Sequence, residues 1–195
     1  NKKQLLEKFK EDTYRAIEEK ISTNPILHSF QLTANHYNID RALIESFLKS
    51  MEMDLNRKSY SDEDFKEYIL GSAEVVGLMC LKVFCNGNHD LYRTLEPKAK
   101  SLGSAFQKIN FLRDLKADYI GMGRSYFPDI DLNHFNDETK KVIEESIARD
   151  FHDGYEGIVN LPRSSRFGVY VAYVYYLALF KKIKMDEKKS LKSYC

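Results

Sequence analysis

The chain has 195 residues, of which 43% are hydrophobic and 30% are charged, as in an ordinary soluble globular domain. Thirty Lys and Arg against 29 Asp and Glu give a formal net charge of +1, which argues against a nucleic-acid-binding protein that depends on an overall basic field. The three cysteines, Cys80, Cys85 and Cys195, lack metal-ligand or CxxC spacing. This spacing favours a reduced compartment and predicts no disulfides.

Only nine Gly and four Pro, against 13 Tyr and 12 Phe, indicate long uninterrupted elements with an aromatic interior. We find no apolar run of the ~18 to 20 residues that a membrane-spanning helix needs, and no signal-peptide core. We therefore expect a soluble, cytoplasmic protein. The Lys-rich C-terminal segment leaves peripheral contact with anionic lipid open, although a solvated, frayed end is the favoured alternative.

Apolar residues recur at helical spacing along nearly the whole chain, and no strand alternation persists beyond a few residues. Asp40 is a candidate helix cap, Ser61 with Asp64 resembles an acidic capping box, and Pro97 is expected to introduce the fifth helix. The sequence predicts a single all-α domain. The predicted helices run from about 2 to 21, from 25 to the polar HYNID segment, from 40 to 55, from 62 to 84, from 97 to 120, from 138 to 159 and from 162 to 184.

The fourth predicted helix carries small residues where a surface helix would carry large ones. These are Gly71, Ser72, Ala73 and Gly77. Small side chains in a helix allow another backbone or a bulky ligand to approach closely. We therefore expect this helix to be central.

The fifth predicted helix places Gln107, Asn110, Asp114 and Asp118 on one polar stripe, because residues three and four apart lie above one another. An apolar stripe adjoins it, so the acid row should line a space. Carboxylate and amide oxygens at this spacing suit Mg²⁺ shared with a diphosphate, and Arg113 suits phosphate oxygens. The alternatives are a solvated helix face for the acids and an exposed salt bridge for Arg113.

The segment AFQKINFLRDLKAD, followed by GRSYFP, resembles the second aspartate-rich motif of the squalene and phytoene synthase family. Members of this family are head-to-head prenyl transferases with the all-α isoprenoid synthase fold, a helical bundle around a central cavity. The resemblance extends to MDL at 53–55, YILGSAEVVG at 68–77 and NLPRSSRFGVYVAYVYY at 160–176. The GSAEVVG and LPRSSR segments are more similar to those of bacterial phytoene synthases than to those of squalene synthases.

The resemblance implies that Asn110, Asp114 and Asp118 hold Mg²⁺, or Mn²⁺ in its place, on a prenyl diphosphate. It also implies that Gln107 and Arg113 help to position that diphosphate. Arg113 would in addition stabilise the charge that develops on the leaving group.

The same resemblance implies a role for two tyrosines. Tyr68 matches an active-site tyrosine near the departing diphosphate, and Tyr175 matches a second tyrosine on the last helix, with core packing as an equally good alternative. Arg124 and Tyr126 match the GRxYxP stretch, where support of a lid is as plausible as direct contact.

The implied reaction is the Mg²⁺-dependent condensation of two geranylgeranyl diphosphates to phytoene through a cyclopropyl diphosphate intermediate, without NADPH. Gly71, Ala73 and Gly77 would then make room for the prenyl tail. The alternatives are a squalene or dehydrosqualene synthase that uses farnesyl diphosphate, a non-catalytic prenyl-binding assembly partner, and a helical scaffold that binds neither. The sequence does not distinguish C15 from C20 substrates and does not predict the oligomeric state.

One family feature is not in this sequence: a first DxxxD motif on an early helix. The first helix here matches the segment just after that motif, and Asp12, Asp54 and the DED at 62–64 lack the partner spacing to replace it. The ending MDEKKSLKSYC also differs from the family pattern. The domain over 1–195 is therefore interpreted as lacking the helices of the first motif, and a chain that truly begins at Asn1 is expected to be inactive or nearly so.

Overall fold

The computed structural model describes the chain apart from residues 58, 123–125, 129–136 and 193–195, and it describes only the backbone of residues 115–122, 137, 139 and 186–192. Helices account for nearly all of this part of the chain, and no β-strand occurs in it, which confirms the predicted all-α fold. The elements are α1 (Lys2–Glu19), α2 (Pro25–His36), α3 (Arg41–Asn56), α4 (Asp62–Ile69), a π-helical turn (Leu70–Glu74), α5 (Val75–Cys85), α6 (His89–Met122), α7 (Asp137–Asn160) and α8 (Arg163–Lys192).

Polar residues at the helix starts explain two of the predicted boundaries. Ser61 and Asp64 form the predicted capping box at the start of α4, which satisfies backbone N–H groups that have no partner within the helix. Asp40 lies at the N-cap of α3, as predicted, but its side chain makes no capping hydrogen bond. Its carboxylate instead lies 3.0 Å from Nζ of Lys82, so that it links α3 to α5.

The predicted helix 62–84 is not one continuous α-helix. A π-helical turn, Leu70–Glu74, separates α4 from α5, and the N–H of Val75 donates to the carbonyl of Leu70, five residues back. Gly71 in this turn packs on α3, because an added Cβ would come within 2.5 Å of the Ser46 carbonyl oxygen. Close approach of a second backbone is confirmed here, whereas the space for a prenyl tail that was expected at Gly71 is filled by α3.

Pro97 does not introduce a helix, contrary to the prediction. It lies inside α6, which begins at His89 and has 34 residues. A proline removes one intrahelical hydrogen bond, here the bond to the carbonyl of Arg93, and usually ends or bends a helix. The helix continues because α6 is packed along its length against the π-helical turn, α5, α7 and α8.

The centre of the fold is the buried side of α6. Ala105 and Ile109 are fully buried, and Ile147 and Phe151 of α7 belong to the same hydrophobic cluster. A polar contact accompanies this packing, because Nζ of Lys108 lies 2.7 Å from the Asp150 carboxylate. The α6–α7 interface therefore combines a dry core with a partly buried ion pair, and it fixes one wall of the site described below.

The stretch Asp62–Cys85 is apolar and long enough to span a membrane by length and composition, with a mean hydropathy of 1.6 over an 18-residue window. No such run was expected from the sequence. In the structure 44% of this window is buried inside the protein, and α5 packs against α3 and α6. The core helix of a soluble protein also meets this criterion of length and hydropathy. The packing of the stretch agrees with the central helix that the sequence predicted.

Candidate active site

A cavity of about 670 Å³ lies between the π-helical turn, α5, α6, α7 and α8. This volume is within the range of about 300 to 1,000 Å³ that small-molecule sites occupy. Most of its wall is apolar or formed by glycine and alanine. Such a wall suits a hydrocarbon better than a polar ligand.

One wall of the cavity follows α6 from Leu95 to Asn110. The fifteen residue-to-residue steps between them extend about 22 Å at the usual helical rise of about 1.5 Å per residue. The Leu95 end is apolar, because Leu81, Leu95 and Leu161 form a buried cluster there. The Asn110 end is polar. The cavity is therefore elongated, with a hydrocarbon-like end and a hydrogen-bonding end.

The polar end is built from two residues of α6 and one of α8. Nδ2 of Asn110 donates to Oε1 of Gln107 at 3.4 Å, and the Tyr176 hydroxyl lies 3.5 Å from Oδ1 of Asn110. The Tyr176 ring stacks on Phe106 with centroids 4.0 Å apart. Stacking orients Tyr176 so that its hydroxyl reaches the amide pair, while its ring forms part of the cavity wall.

Arg113 and Asp114 lie one turn beyond Asn110 and do not line the cavity itself. The Arg113 guanidinium donates to both carboxylate oxygens of Asp114, from Nε at 2.8 Å and from a terminal nitrogen at 2.6 Å. These hydrogen bonds hold the pKa of Asp114 below its usual value and raise the pKa of Arg113. The salt-bridge alternative considered for Arg113 is thus present, at a site close to the polar end.

The donors at this end fit a magnesium ion in their chemistry. Asn110 and Asp114 offer an amide and a carboxylate oxygen one helical turn apart, and Mg²⁺ prefers such hard oxygen ligands. The side chain of Asp118, the third predicted ligand, lies outside the described residues. No group of three His, Cys, Asp or Glu side chains that could hold a metal occurs among the side chains that are described. To bind the ion, the Asp114 carboxylate would have to give up its hydrogen bonds from Arg113.

Tyr68 lies in a buried aromatic cluster and does not line the cavity. Its hydroxyl donates to Oδ2 of Asp54 at 2.9 Å, and the Tyr126 hydroxyl lies 3.4 Å from Oδ1 of the same carboxylate. Burial, together with the negative charge of Asp54, raises the pKa of Tyr68 well above its usual range. In the sequence Asp54 was set aside because it lacks the spacing of the first DxxxD motif, and only its position in the MDL segment pointed to it.

Tyr175, the second tyrosine that the sequence singled out, does not line the cavity. Tyr175 is 67% exposed and lies outside the cavity wall, whereas its neighbour Tyr176 lines the cavity. Of the GRxYxP pair, Arg124 lies outside the described residues, and Tyr126 stacks on Phe111 with centroids 4.2 Å apart. Tyr126 therefore belongs to the Asp54 cluster.

The small residues of the central helix divide between two tasks. Ala73 and Gly77 line the cavity, as expected. Gly77 also allows α6 to approach, because an added Cβ would lie 2.9 Å from the Ala99 carbonyl oxygen. Ser72 lines the cavity as well, and its buried hydroxyl oxygen has no hydrogen-bond partner among the described residues. Sequence reasoning had singled out Ser72 only for its size.

Two curated relatives are similar to part of the chain. The 4,4'-diapophytoene synthase of Staphylococcus haemolyticus is 28% identical over 153 residues, which are 75% of this chain and 52% of the relative. A phytoene synthase of Mycobacterium tuberculosis is 24% identical over 134 residues, which are 68% of this chain and 42% of the relative. The chain thus spans about half the length of these relatives or less.

Two solved structures share the fold. The squalene synthase HpnC from Alicyclobacillus acidocaldarius superposes with a TM-score of 0.80 at 19% identity, over 95% of this chain and 74% of that one. A dehydrosqualene synthase in complex with a ligand superposes with a TM-score of 0.76 at 19% identity, over 94% of this chain and 78% of that one. The family model for squalene/phytoene synthase matches residues 1–193. This chain therefore belongs to the squalene/phytoene synthase family.

Proposed function

We propose that the protein joins two molecules of geranylgeranyl diphosphate head to head to form phytoene. The observation that carries this proposal is the elongated apolar cavity, which ends at Gln107, Asn110 and Tyr176 with Arg113 and Asp114 one turn away. A prenyl diphosphate has the same division into a long hydrocarbon and a compact anion. Family membership supports prenyl transfer as the class of reaction.

In this proposal the anionic head of the substrate binds at the polar end. Arg113 offers a planar guanidinium to phosphate oxygens once it leaves Asp114, and Gln107 offers amide hydrogen bonds. Asn110 and Asp114, together with Asp118, would hold Mg²⁺. When bound, the ion neutralises diphosphate charge and stabilises the leaving group.

The reaction breaks two C1–O bonds, and each diphosphate leaves with the electron pair of its bond. Two carbon skeletons join through the cyclopropyl diphosphate, and two protons are lost before phytoene is complete, so no reductant is consumed. The apolar wall keeps water away from the allylic cation. The stacked rings of Phe106 and Tyr176 offer π faces that favour positive charge nearby.

A C15 reaction is the second candidate. The relative at 28% identity carries the name 4,4'-diapophytoene synthase, and the solved structures are a squalene and a dehydrosqualene synthase. These names favour farnesyl diphosphate, whereas the GSAEVVG and LPRSSR segments resemble phytoene synthases. The substrate length is therefore the point that most needs measurement.

The test is product analysis by mass spectrometry on the intact gene product, with labelled C15 and C20 diphosphates, Mg²⁺, and NADPH present or absent. We expect a C40 hydrocarbon that forms without NADPH and disappears with a chelator. A C30 product would establish the second candidate instead. Prenyl diphosphate binding without any product would assign the protein as a non-catalytic partner.

A further inference from the structure

Gly168 differs from the other glycines of the cavity wall. An added Cβ would lie 2.9 Å from its nearest neighbour atom at Gly77, 2.6 Å at Gly103, 3.0 Å at Gly154 and 2.6 Å at Gly157, so these glycines allow neighbouring helices to pack. At Gly168, an exposed residue of this wall, an added Cβ meets no atom of the described residues within 4 Å. The side chain that Gly168 lacks therefore leaves open space, and packing among the described residues does not account for the glycine.

The position of Gly168 along the cavity indicates which part of a bound ligand would lie beside this open space. Gly168 precedes Tyr176 by eight residues of α8, which corresponds to about 12 Å from the polar end at the usual helical rise. The cavity continues beyond it to Ser164 of α8 and to Leu161, which lies between α7 and α8. Gly168 thus lies partway down the wall, with more cavity on the apolar side.

We infer that Gly168 is a specificity-determining residue that sets the length of prenyl chain the cavity accepts. This inference rests on the proposed function. A substrate anchored by its diphosphate at the polar end extends its tail past Gly168 toward the apolar end. A C20 chain extends one isoprene unit further than a C15 chain, so more of it lies beside and beyond Gly168, and a larger side chain at this position obstructs the longer substrate more.

Two substitutions and a control follow from the geometry. Gly168→Leu places a branched side chain in the open space, and Gly168→Ala adds only one methyl group there. Val171→Leu is the matched control, because Val171 lies on the same helix, is 51% exposed and does not line the cavity. Thermal unfolding of all three variants reports whether each one folds, and alanine in place of a helical glycine favours the helix.

The measurement is calorimetric titration of the intact gene product with non-hydrolysable C15 and C20 diphosphate analogues in Mg²⁺. We expect Gly168→Leu to weaken C20 binding by about tenfold or more while C15 binding changes by less than about threefold, with Gly168→Ala between it and the wild type. Val171→Leu should bind both analogues as the wild type does.

Equal losses for C15 and C20, or no loss for either, in a folded Gly168→Leu protein would overturn the assignment of chain length to Gly168. If the Leu variant does not fold, the Ala variant decides by the direction of its C20-to-C15 ratio, and an unchanged ratio overturns the assignment. A wild-type protein that binds neither analogue would refute the proposed function itself, and this inference would fail with it. The two failures are thus distinguishable.

Discussion

The Tyr68 hydroxyl donates a 2.9 Å hydrogen bond to Oδ2 of Asp54 inside a cluster of aromatic rings. Because Tyr126 also approaches this carboxylate, the contact joins α3, α4 and the segment that follows α6. The raised pKa of Tyr68 keeps its phenol protonated at neutral pH. Tyr68 can therefore donate a hydrogen bond but cannot act as a phenolate base, which restricts its part in any proton transfer.

Replacing this hydroxyl should affect turnover more than binding. We expect Tyr68→Phe to leave prenyl diphosphate affinity nearly intact and to lower turnover, since the ring still packs while the link to Asp54 is lost. The lost hydrogen bond to a charged group should also cost about 1 to 3 kcal/mol of unfolding free energy. Urea denaturation and single-turnover kinetics measure the two effects.

A double-mutant cycle with Asp54→Asn is the control for that prediction. If the two residues act through their hydrogen bond, the effects of Tyr68→Phe and Asp54→Asn on stability will not add. Additive effects, or wild-type turnover in Tyr68→Phe under chemistry-limited conditions, would contradict the role given to this hydroxyl.

Asp114 should matter for the ligand and little for folding. Asp114→Ala removes a predicted magnesium ligand, and we expect Mg²⁺-dependent binding of a non-hydrolysable prenyl diphosphate to weaken by at least about tenfold. Its ion pair with Arg113 is nearly half exposed, so unfolding free energy should change by no more than about 1 kcal/mol. Asp12→Ala, which breaks a comparable pair with Arg15 on α1, is the control. Unchanged affinity in Asp114→Ala would count against the metal site.

Glu74 should make stability depend on pH in an unusual direction. Burial raises its pKa above the ordinary value of 4.5, against the opposing charge of Lys100. A raised folded-state pKa gives a contribution to stability that is complete below the unfolded value and is lost as the pH rises through the folded value. Glu74→Gln removes this loss, so the variant should gain stability relative to the wild type as the pH rises from about 4 to 7.

Denaturation curves of Glu74→Gln and the wild type across that range provide the measurement. Glu11→Gln on the exposed side of α1 is the matched control and should give no such trend. A stability difference between Glu74→Gln and the wild type that stays constant with pH would show that the Glu74 carboxyl is not desolvated in the folded protein.

Two alanine substitutions in the cavity wall should change stability in opposite directions. A Cβ at Gly103 would lie 2.6 Å from the Ala73 carbonyl oxygen, and overpacking of this kind costs about 1 to 3 kcal/mol. Gly168→Ala meets no atom within 4 Å in the part of the chain that the structure describes, and it should gain about 0.5 to 1 kcal/mol from helix propensity. Chemical denaturation compares the two variants directly. Destabilisation by Gly168→Ala would mean that the space beside it is not open.

The sequence predicted which segments are helical, because apolar residues recur at a period that only a helix aligns. It did not predict the course of α6 through Pro97, since local chemistry says that a proline ends a helix and only the packing of neighbouring helices offsets the lost hydrogen bond. The sequence singled out Tyr175 and did not show that its neighbour Tyr176 lines the cavity, for a related reason. Adjacent residues on a helix point about 100° apart, and a Tyr-rich segment does not show which face is buried.

The polar stripe of α6 could be recognised from the sequence because its members, three and four residues apart, lie on one face of a single helix. They are Gln107, Asn110, Asp114 and Asp118. Asp54 carried no such signal, since its partners Tyr68 and Tyr126 are 14 and 72 residues away. Gly71 was grouped with Ala73 and Gly77 by composition, but it packs on α3 while they line the cavity. Contacts that depend on the arrangement of several helices are not encoded in the neighbours of a single residue.

The π-helical turn determines how this part of the chain tolerates insertions and deletions. The turn holds one residue more than an α-helical turn, so Tyr68 before it faces Asp54 on α3 while Ala73 and Gly77 face the cavity. Deleting one residue from Leu70–Glu74 would restore a regular helix and rotate Tyr68 by about 100° away from its carboxylate. The number of residues in Leu70–Glu74 is therefore constrained as strictly as their identity. A residue added or removed at the exposed turn around Gly87 would not change the directions in which Tyr68, Ala73 and Gly77 face.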